Sequence, residues 1–130
     1  MNEQSKDSDI QAIREAVEDY YGGWYEADPE RISRSLHPSL AKRAIQRDEA
    51  GKEHPRDLTK EMMVNATKRG GGTDAPVHKR HWNVEVLDHY EEIALAKVVC
   101  PEYVEYIQLA RQDGQWLILN VLWTDHRAGH

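Results

Sequence analysis

The sequence has one cysteine, no long apolar run and no apolar segment near its beginning. Cys100 alone cannot form an internal disulfide, so it fits a reducing compartment and the role of a small apolar side chain in a strand. No apolar stretch approaches the roughly 20 residues that a membrane helix needs. Residues 1–7 are polar and lack the apolar core of a secretory signal. We therefore expect a cytoplasmic protein with no membrane contact.

The sequence also lacks an excess of basic residues. It contains 17 Lys and Arg against 23 Asp and Glu, which gives a net charge of −6 with neutral histidine. The one dense basic cluster, residues 78–81, is too short to predict a nucleic-acid surface, and we expect no nucleic-acid partner. The length of 130 residues and the balance of 39% hydrophobic and 31% charged residues are typical of one globular domain. Its ends, residues 1–7 and 125–130, are expected to be flexible.

Familiar catalytic and metal-binding motifs are missing too. His78 and His81 lie three apart before a strand, without the helical spacing or the cysteine pairs of a zinc site. The glycines at 70–72 lack the Lys-Ser/Thr that follows in a phosphate-binding loop, and indicate a helix end. There is no Gly-x-Ser-x-Gly motif, and no base neighbours Cys100. We expect no metal and no bound cofactor.

What the sequence does contain is one strand that is apolar on both faces. A strand with a single buried face alternates apolar and polar residues, so residues 115–124 should be covered on both sides, at the centre of a sheet. Asn120 is the uncharged polar residue that interrupts it. Simple alternation divides the other side chains into Trp116, Ile118 and Leu122 on one face and Leu117, Leu119, Val121 and Trp123 on the other.

The first half of the chain predicts three helices. Ser8 and Gln11 have the spacing of a capping box, and the first helix should begin there and end by residue 27. Asp28-Pro29 begins a short second helix that ends at His37-Pro38. Thr59 caps a third helix that runs to about residue 68.

The other segments predict strands and loops. Residues 40–46 form a candidate strand, whereas the charges, glycine and proline of residues 48–56 indicate a loop. From residue 78 onward the apolar period is two, with strands predicted at about 80–89, 93–101, 103–112 and 115–124. This order predicts an α+β domain with helices on one face of a mostly antiparallel sheet.

Aromatic, glycine and turn residues recur in a distinctive order: Tyr20, Gly23-Trp24-Tyr25, Asp28, Leu36-His37-Pro38, Leu40-Ala41-Lys42-Arg43, Asp113-Gly114-Gln115-Trp116 and Asn120-Val121-Leu122-Trp123. From about residue 10 to residue 123, the chain resembles the putative lumazine-binding proteins. They belong to the nuclear-transport-factor-2-like (cystatin-like) superfamily, together with SnoaL-like cyclases and ketosteroid isomerases. The resemblance implies a cone in which a strongly curved sheet wraps three helices around an internal pocket. It also implies a homodimer through the outer face of the sheet.

Two residues of the first helix are predicted to face the pocket. Tyr20 and Trp24 are four apart and share a helix face, so the indole would form a wall and the phenol would supply a hydrogen bond, unless both are core residues. In ketosteroid isomerases a tyrosine of the first helix stabilises a developing oxyanion, and Tyr20 lies near that position. The general base of those enzymes has no counterpart, because residues 40–45 contain no carboxylate. An inward Lys42 or Arg43 would instead indicate an anionic ligand or a buried ion pair.

The direction of Asn120 depends on the turn before its strand. A two-residue turn would place Asn120 on the face of Glu105, and a three-residue turn would place it with Tyr106 and Gln108. We favour the three-residue turn, because it gathers the polar groups inside the cone and directs Trp123 away from it.

Three functional hypotheses follow. The first is binding of a small aromatic or heterocyclic molecule in the cone, with Trp24, Tyr106, Gln108 and Asn120 as ligand-binding residues. The second is a SnoaL-like enzyme, a cyclase, isomerase or dehydratase, with His37 and Tyr20 as its acid–base pair. His37 is proposed because imidazole titrates near neutral pH, although a place at a helix end also suits a structural role. The third is a non-catalytic dimerisation module with a sealed cone.

Overall fold

A computed structural model describes residues 3–127, which form three α-helices and six strands. No helix in this part of the chain has both the length and the apolar composition to cross a membrane. Two short 3-10 helices, Gly71–Asp74 and Val77–Lys79, connect the last α-helix to the strands that follow it. The elements are α1 (Glu3–Tyr25), α2 (Pro29–Ser35), β1 (Leu36–Arg47), β2 (Glu53–Leu58), α3 (Lys60–Lys68), β3 (Asn83–Tyr90), β4 (Ile93–Val99), β5 (Tyr103–Gln112) and β6 (Gln115–Asp125).

The strands form one mixed sheet in the order β2-β1-β6-β5-β4-β3. Strand β6 lies in the interior of the sheet, parallel to β1 and antiparallel to β5, and the other neighbouring strands are antiparallel. The predicted α+β class and the interior position of the last strand are confirmed. The core lies between α1 and the inner face of the sheet, where Ile13, Val17, Ile107 and Ile118 are fully buried. Each such side chain stabilises the fold by about 1.5–3 kcal/mol relative to an exposed one.

Two of the three predicted helix starts are confirmed. The carboxylate of Asp28 accepts a hydrogen bond from the Arg31 amide at 3.1 Å, and the Thr59 hydroxyl accepts one from the Met62 amide at 3.2 Å. The start predicted at Ser8 is wrong, since α1 already begins at Glu3 and therefore includes residues 3–7. Residues 1–2 and 128–130 of the ends expected to be flexible lie outside the described residues.

The loop predicted at residues 48–56 is partly a strand. Strand β2 pairs with β1 through a turn at residues 48–52, with Ala44 opposite Arg56 and Lys42 opposite Leu58. The charged residues and Pro55 led to the prediction of a loop, because in a strand they are tolerated mainly at an edge that borders solvent. Strand β2 is an edge strand, and almost all of it is exposed.

The hairpin between β5 and β6 has the two-residue turn, not the three-residue turn that we favoured. Gln112 pairs with Gln115, and the two turn residues have φ angles of 53° and 80°, which suit Asp-Gly. Further along, Leu109 pairs with Ile118 but Gln108 pairs with Asn120, so one extra residue forms a bulge in β6. This bulge moves each following side chain of β6 to the opposite face.

The bulge decides the directions of Asn120 and Trp123. Asn120 does accompany Tyr106 and Gln108, and its amide donates to the Gln108 side-chain oxygen at 3.1 Å. All three lie on the outer face of the sheet, however, and Tyr106 is 50% exposed. Trp123 instead lies on the inner face. The predicted directions of Asn120 and Trp123 are therefore both wrong.

Candidate functional site

An inner cavity of about 240 Å³ lies between α1, α3 and the sheet. Its deepest side chains are buried, its walls are half-buried, and Arg56 and Met62 at its mouth are exposed. The cavity thus has a buried floor, half-buried walls and an exposed mouth. The lining residues are Tyr20, Tyr21, Trp24, Lys42, Arg56, Leu58, Met62, Met63, Ala66, Tyr103, Glu105 and Trp123.

The floor is a hydrogen-bonded network of four buried polar residues. The Lys42 ammonium lies 3.0 Å from a Glu105 carboxylate oxygen and donates a hydrogen bond to the Tyr20 hydroxyl. The Tyr21 hydroxyl donates to the other Glu105 oxygen at 2.7 Å, and the Tyr20 hydroxyl lies 3.5 Å from the first one. The lysine and the glutamate are 7% and 2% exposed, so they form a buried ion pair.

Three neighbouring strands place this ion pair on the inner face of the sheet. Lys42 on β1 lies beside Val121 of β6, and Glu105 on β5 lies beside Trp123 of β6. The lysine Nζ is 5.7 Å from the centre of a Trp123 ring and 5.2 Å from the centre of the Tyr20 ring. Both are within cation–π range, so aromatic faces and one carboxylate together replace the water that the ammonium loses.

The two phenols of the floor stay protonated. Burial raises the pKa of Tyr20 well above its usual value, and the Glu105 carboxylate raises it further. The same two causes raise the pKa of Tyr21. A buried hydroxyl beside a carboxylate loses its proton less readily, because a second negative charge would be poorly solvated there. At neutral pH these tyrosines can donate hydrogen bonds but cannot act as bases.

Two indoles form the walls of the inner cavity, and each has a distinctive environment. Trp24 lies against the glycines that follow α3: a Cβ atom on Gly72 would be 2.2 Å from the Trp24 carbonyl oxygen, and one on Gly71 would be 2.6 Å from the Trp24 ring. These glycines therefore serve close packing beside the cavity, beyond the helix end that the sequence indicates. The Trp123 indole N–H is buried and has no hydrogen-bond partner among the described residues.

Tyr20 and Trp24 lie in the inner cavity, as the predicted helix face requires. The other predicted ligand-binding residues, Tyr106, Gln108 and Asn120, line a separate groove on the outer face of the sheet. Sequence reasoning placed all five residues in one pocket, because it assigned the polar alternate positions of residues 103–112 and Asn120 to the inner face of the sheet.

His37 does not join Tyr20. Its Nε2 atom lies 2.8 Å from the Gln112 side-chain oxygen, and its Nδ1 atom accepts a hydrogen bond from the Ser39 amide at 2.9 Å. It is not among the residues that line the inner cavity. The geometry does not support an acid–base pair of His37 and Tyr20, and the imidazole links β1 to the β5–β6 hairpin.

The residues of the network were only partly anticipated. Lys42 does point inward, and of the two meanings considered for that direction the buried ion pair is present. Arg43 points outward and pairs with Asp57 at 2.6 Å. Glu105 and Tyr21 were not predicted as site residues. The one signal for Glu105 was a charge among the otherwise apolar or aromatic alternate positions of residues 103–109.

No group of three or more His, Cys, Asp or Glu side chains within residues 3–127 is arranged to hold a metal ion. The aromatic and charged groups that line the cavity are a buried ion pair, three phenols, two indoles and an exposed guanidinium.

The family described as "Putative lumazine-binding" matches residues 8–124. This chain belongs to that family. No curated protein matches the sequence. The matched range agrees with the resemblance in the sequence, which extends from about residue 10 to residue 123.

Solved structures agree on the fold. An NTF2-like protein of unknown function from Silicibacter pomeroyi DSS-3 superposes with a TM-score of 0.74 at 12% identity, over 93% of this chain and 98% of that chain. One from Shewanella baltica OS155 has a TM-score of 0.70 at 13% identity, over 93% and 96%. A cystatin-like domain from Nostoc punctiforme PCC 73102 has a TM-score of 0.64 at 14% identity, over 94% and 80%. At these identities the similarity shows the fold alone, which is the nuclear-transport-factor-2-like, or cystatin-like, fold.

Proposed function

We propose that this protein binds a small planar molecule, aromatic or heterocyclic, in the inner cavity. The observation that carries the proposal is an apolar, indole-walled cavity that ends on a buried network of hydrogen-bond donors. Ligand sites combine these two features: apolar walls supply affinity, and a few fixed polar groups set the orientation. Membership of a family described as lumazine-binding supports the same class of ligand.

Donor counting indicates what the floor would recognise. An ammonium group has three N–H donors, and Lys42 uses two of them on Tyr20 and Glu105. The Tyr20 hydroxyl accepts from the lysine, and its own proton has only an acceptor at the distance limit of 3.5 Å. Both Glu105 oxygens already accept hydrogen bonds. The floor therefore presents donors, and a ligand would place a carbonyl or other acceptor oxygen there.

The size of the inner cavity limits the ligand. Its 240 Å³ lies a little below the roughly 300–1,000 Å³ of common ligand sites, which favours a compact one- or two-ring compound. Trp24 and Trp123 both line the cavity and offer flat aromatic faces for stacking. Lumazine, a fused two-ring compound with carbonyl oxygens, fits this description.

We expect lumazine or a related pterin or flavin fragment to bind and to raise the melting temperature. At a ligand concentration 100 times the Kd, the stabilisation is about 2.7 kcal/mol. Isothermal titration calorimetry and quenching of tryptophan fluorescence would measure the binding. Ala66→Phe, which fills the cavity, should abolish it.

The matched control is Ala50→Phe, the same substitution at an exposed turn position, which should leave binding intact. The proposal fails if no planar compound of this size binds the wild-type protein. It also fails if Ala66→Phe, shown to be folded by circular dichroism, binds as well as the control.

We also propose that the outer face of the sheet pairs with a second copy of the chain. Four large apolar side chains on this face are between 45% and 60% exposed: Ile45, Leu87, Tyr106 and Leu122. A stable pair buries about 800 Å² on each partner. We expect Leu122→Glu to convert a dimer to a monomer in sedimentation equilibrium, whereas Val77→Glu, at an exposed site outside the sheet, should not. A wild-type protein that is monomeric at high concentration would contradict the proposal.

A further inference from the structure

We infer that the ligand of the inner cavity is a planar aromatic carboxylate and that Arg56, at the mouth, binds its carboxylate group. This inference rests on the proposed function and names the ligand class more narrowly. It was not visible in the sequence, because residues 48–56 were expected to form a loop.

Arg56 faces inward and has no ion-pair partner among the described residues. It lies opposite Ala44, which is 1% exposed on the inner face of the sheet, and it lines the cavity. The two arginines of β1 that point outward are both paired with carboxylates, Arg43 with Asp57 and Arg47 with Glu53, each at 2.6 Å. In the β1–β2 hairpin the outward guanidinium groups are therefore neutralised, and the inward guanidinium of Arg56 is available to bind an anion.

The net charge of the residues that line the cavity also favours an anionic ligand. The charged residues that line the cavity are Lys42, Arg56 and Glu105, and the first and last neutralise each other. The mouth therefore carries one uncompensated positive charge in a chain whose net charge is −6. A local charge opposite in sign to that of the whole chain attracts an anion to this opening.

The number and shape of the donors select a carboxylate. A guanidinium group binds a carboxylate through two parallel N–H···O bonds, and such charge-assisted pairs are about twice as strong as neutral hydrogen bonds. One guanidinium at the mouth matches one monoanion, whereas a phosphate dianion would keep an uncompensated charge. The ring of the ligand would lie between the indoles of Trp24 and Trp123, with its far edge at the donors of Lys42 and Tyr20.

The register of β1 and β2 sets the length of the ligand. Leu58 lies opposite Lys42, and Arg56 is two residues earlier on the same strand, about 7 Å away along it. A rigid two-ring carboxylate spans this distance. The long side chain of Arg56 adjusts the remaining separation.

The test compares 6-hydroxy-2-naphthoate with 6-hydroxy-2-naphthamide, which has the same shape and no charge. The hydroxyl oxygen at the far edge of each compound can accept a hydrogen bond from the floor. Titrations of the wild-type protein at low ionic strength should show about tenfold tighter binding of the carboxylate. Arg56→Gln should remove this preference, so that the carboxylate and the amide bind with similar affinity. The matched control Arg43→Gln, on the outer face, should keep it.

Each other outcome overturns the inference. Equal binding of the two compounds to the wild-type protein, or an Arg56→Gln variant that keeps the preference, would exclude carboxylate recognition by Arg56 while the proposed function stands. Tighter binding of 6-hydroxy-2-naphthyl phosphate than of 6-hydroxy-2-naphthoate would assign the mouth to phosphate esters instead. If neither naphthalene compound binds but lumazine does, only this inference fails, and if lumazine does not bind either, both proposals fail.

Discussion

Replacing Lys42 with methionine is expected to lower the free energy of unfolding by about 3–5 kcal/mol. The substitution keeps most of the volume but leaves the Glu105 carboxylate, 2% exposed, without the ammonium that lies 3.0 Å away. The hydroxyls of Tyr20 and Tyr21 remain near the carboxylate, but two neutral donors do not replace a positive charge. Urea unfolding followed by tryptophan fluorescence would measure the change.

Two further variants test the reason for this loss. Lys42→Met combined with Glu105→Leu removes both charges and should recover most of the lost stability, because an apolar pair of similar volume often replaces a buried ion pair at little cost. Arg43→Met removes an exposed ion pair on the adjacent residue and should change stability by less than about 1 kcal/mol. A loss for Lys42→Met as small as that for Arg43→Met would show that the ion pair is not held as the structure has it.

The double variant also separates stability from binding. It is expected to fold and yet to bind planar ligands weakly, since the floor of the inner cavity would then lack the ammonium donor. Lys42 thus contributes both to the stability of the fold and to ligand binding. The double variant should lose the contribution to binding while keeping most of the stability.

Replacing Gly72 with alanine is expected to cost at least about 2 kcal/mol, towards the upper end of the range for overpacking. The added Cβ would lie 2.2 Å from the carbonyl oxygen of Trp24 and 2.7 Å from its carbonyl carbon. Both are backbone atoms, so no side-chain rotation relieves the contact, and α1 must shift relative to the connector. Thermal and urea unfolding would measure the loss.

Two other glycines serve as comparisons. Gly71→Ala would meet the Trp24 ring at 2.6 Å, and because the ring can move, this variant should lose less stability but alter the wall of the inner cavity and weaken ligand binding. Gly51→Ala has open space around its Cβ and a φ of 80°, so it should cost only about 1 kcal/mol from backbone strain. A Gly72→Ala variant no less stable than Gly51→Ala would contradict the close approach of the connector to α1.

Local chemistry determined much of the fold. The caps at Asp28 and Thr59, the position of the Asp-Gly turn (though not its length) and the apolar strand β6 were predicted, because each depends on residues next to one another in the chain. The position of Tyr20 and Trp24 in the cavity followed from helical spacing for the same reason. Strand β2 was not predicted from the sequence. An edge strand needs few apolar residues, and β2 is stabilised by its pairing with β1.

The tertiary structure decided which polar residues meet. The partners of His37 and Lys42 are Gln112 and Glu105, which lie far away in the sequence and come close only when the sheet assembles. Strand periodicity determined that Asn120 and Trp123 lie on opposite faces, but not which of the two faces inward. One extra residue in β6 decided that, because a bulge reverses the face of every side chain after it. The Trp123 indole therefore lines the inner cavity, and the amide of Asn120 lies on the outer face of the sheet.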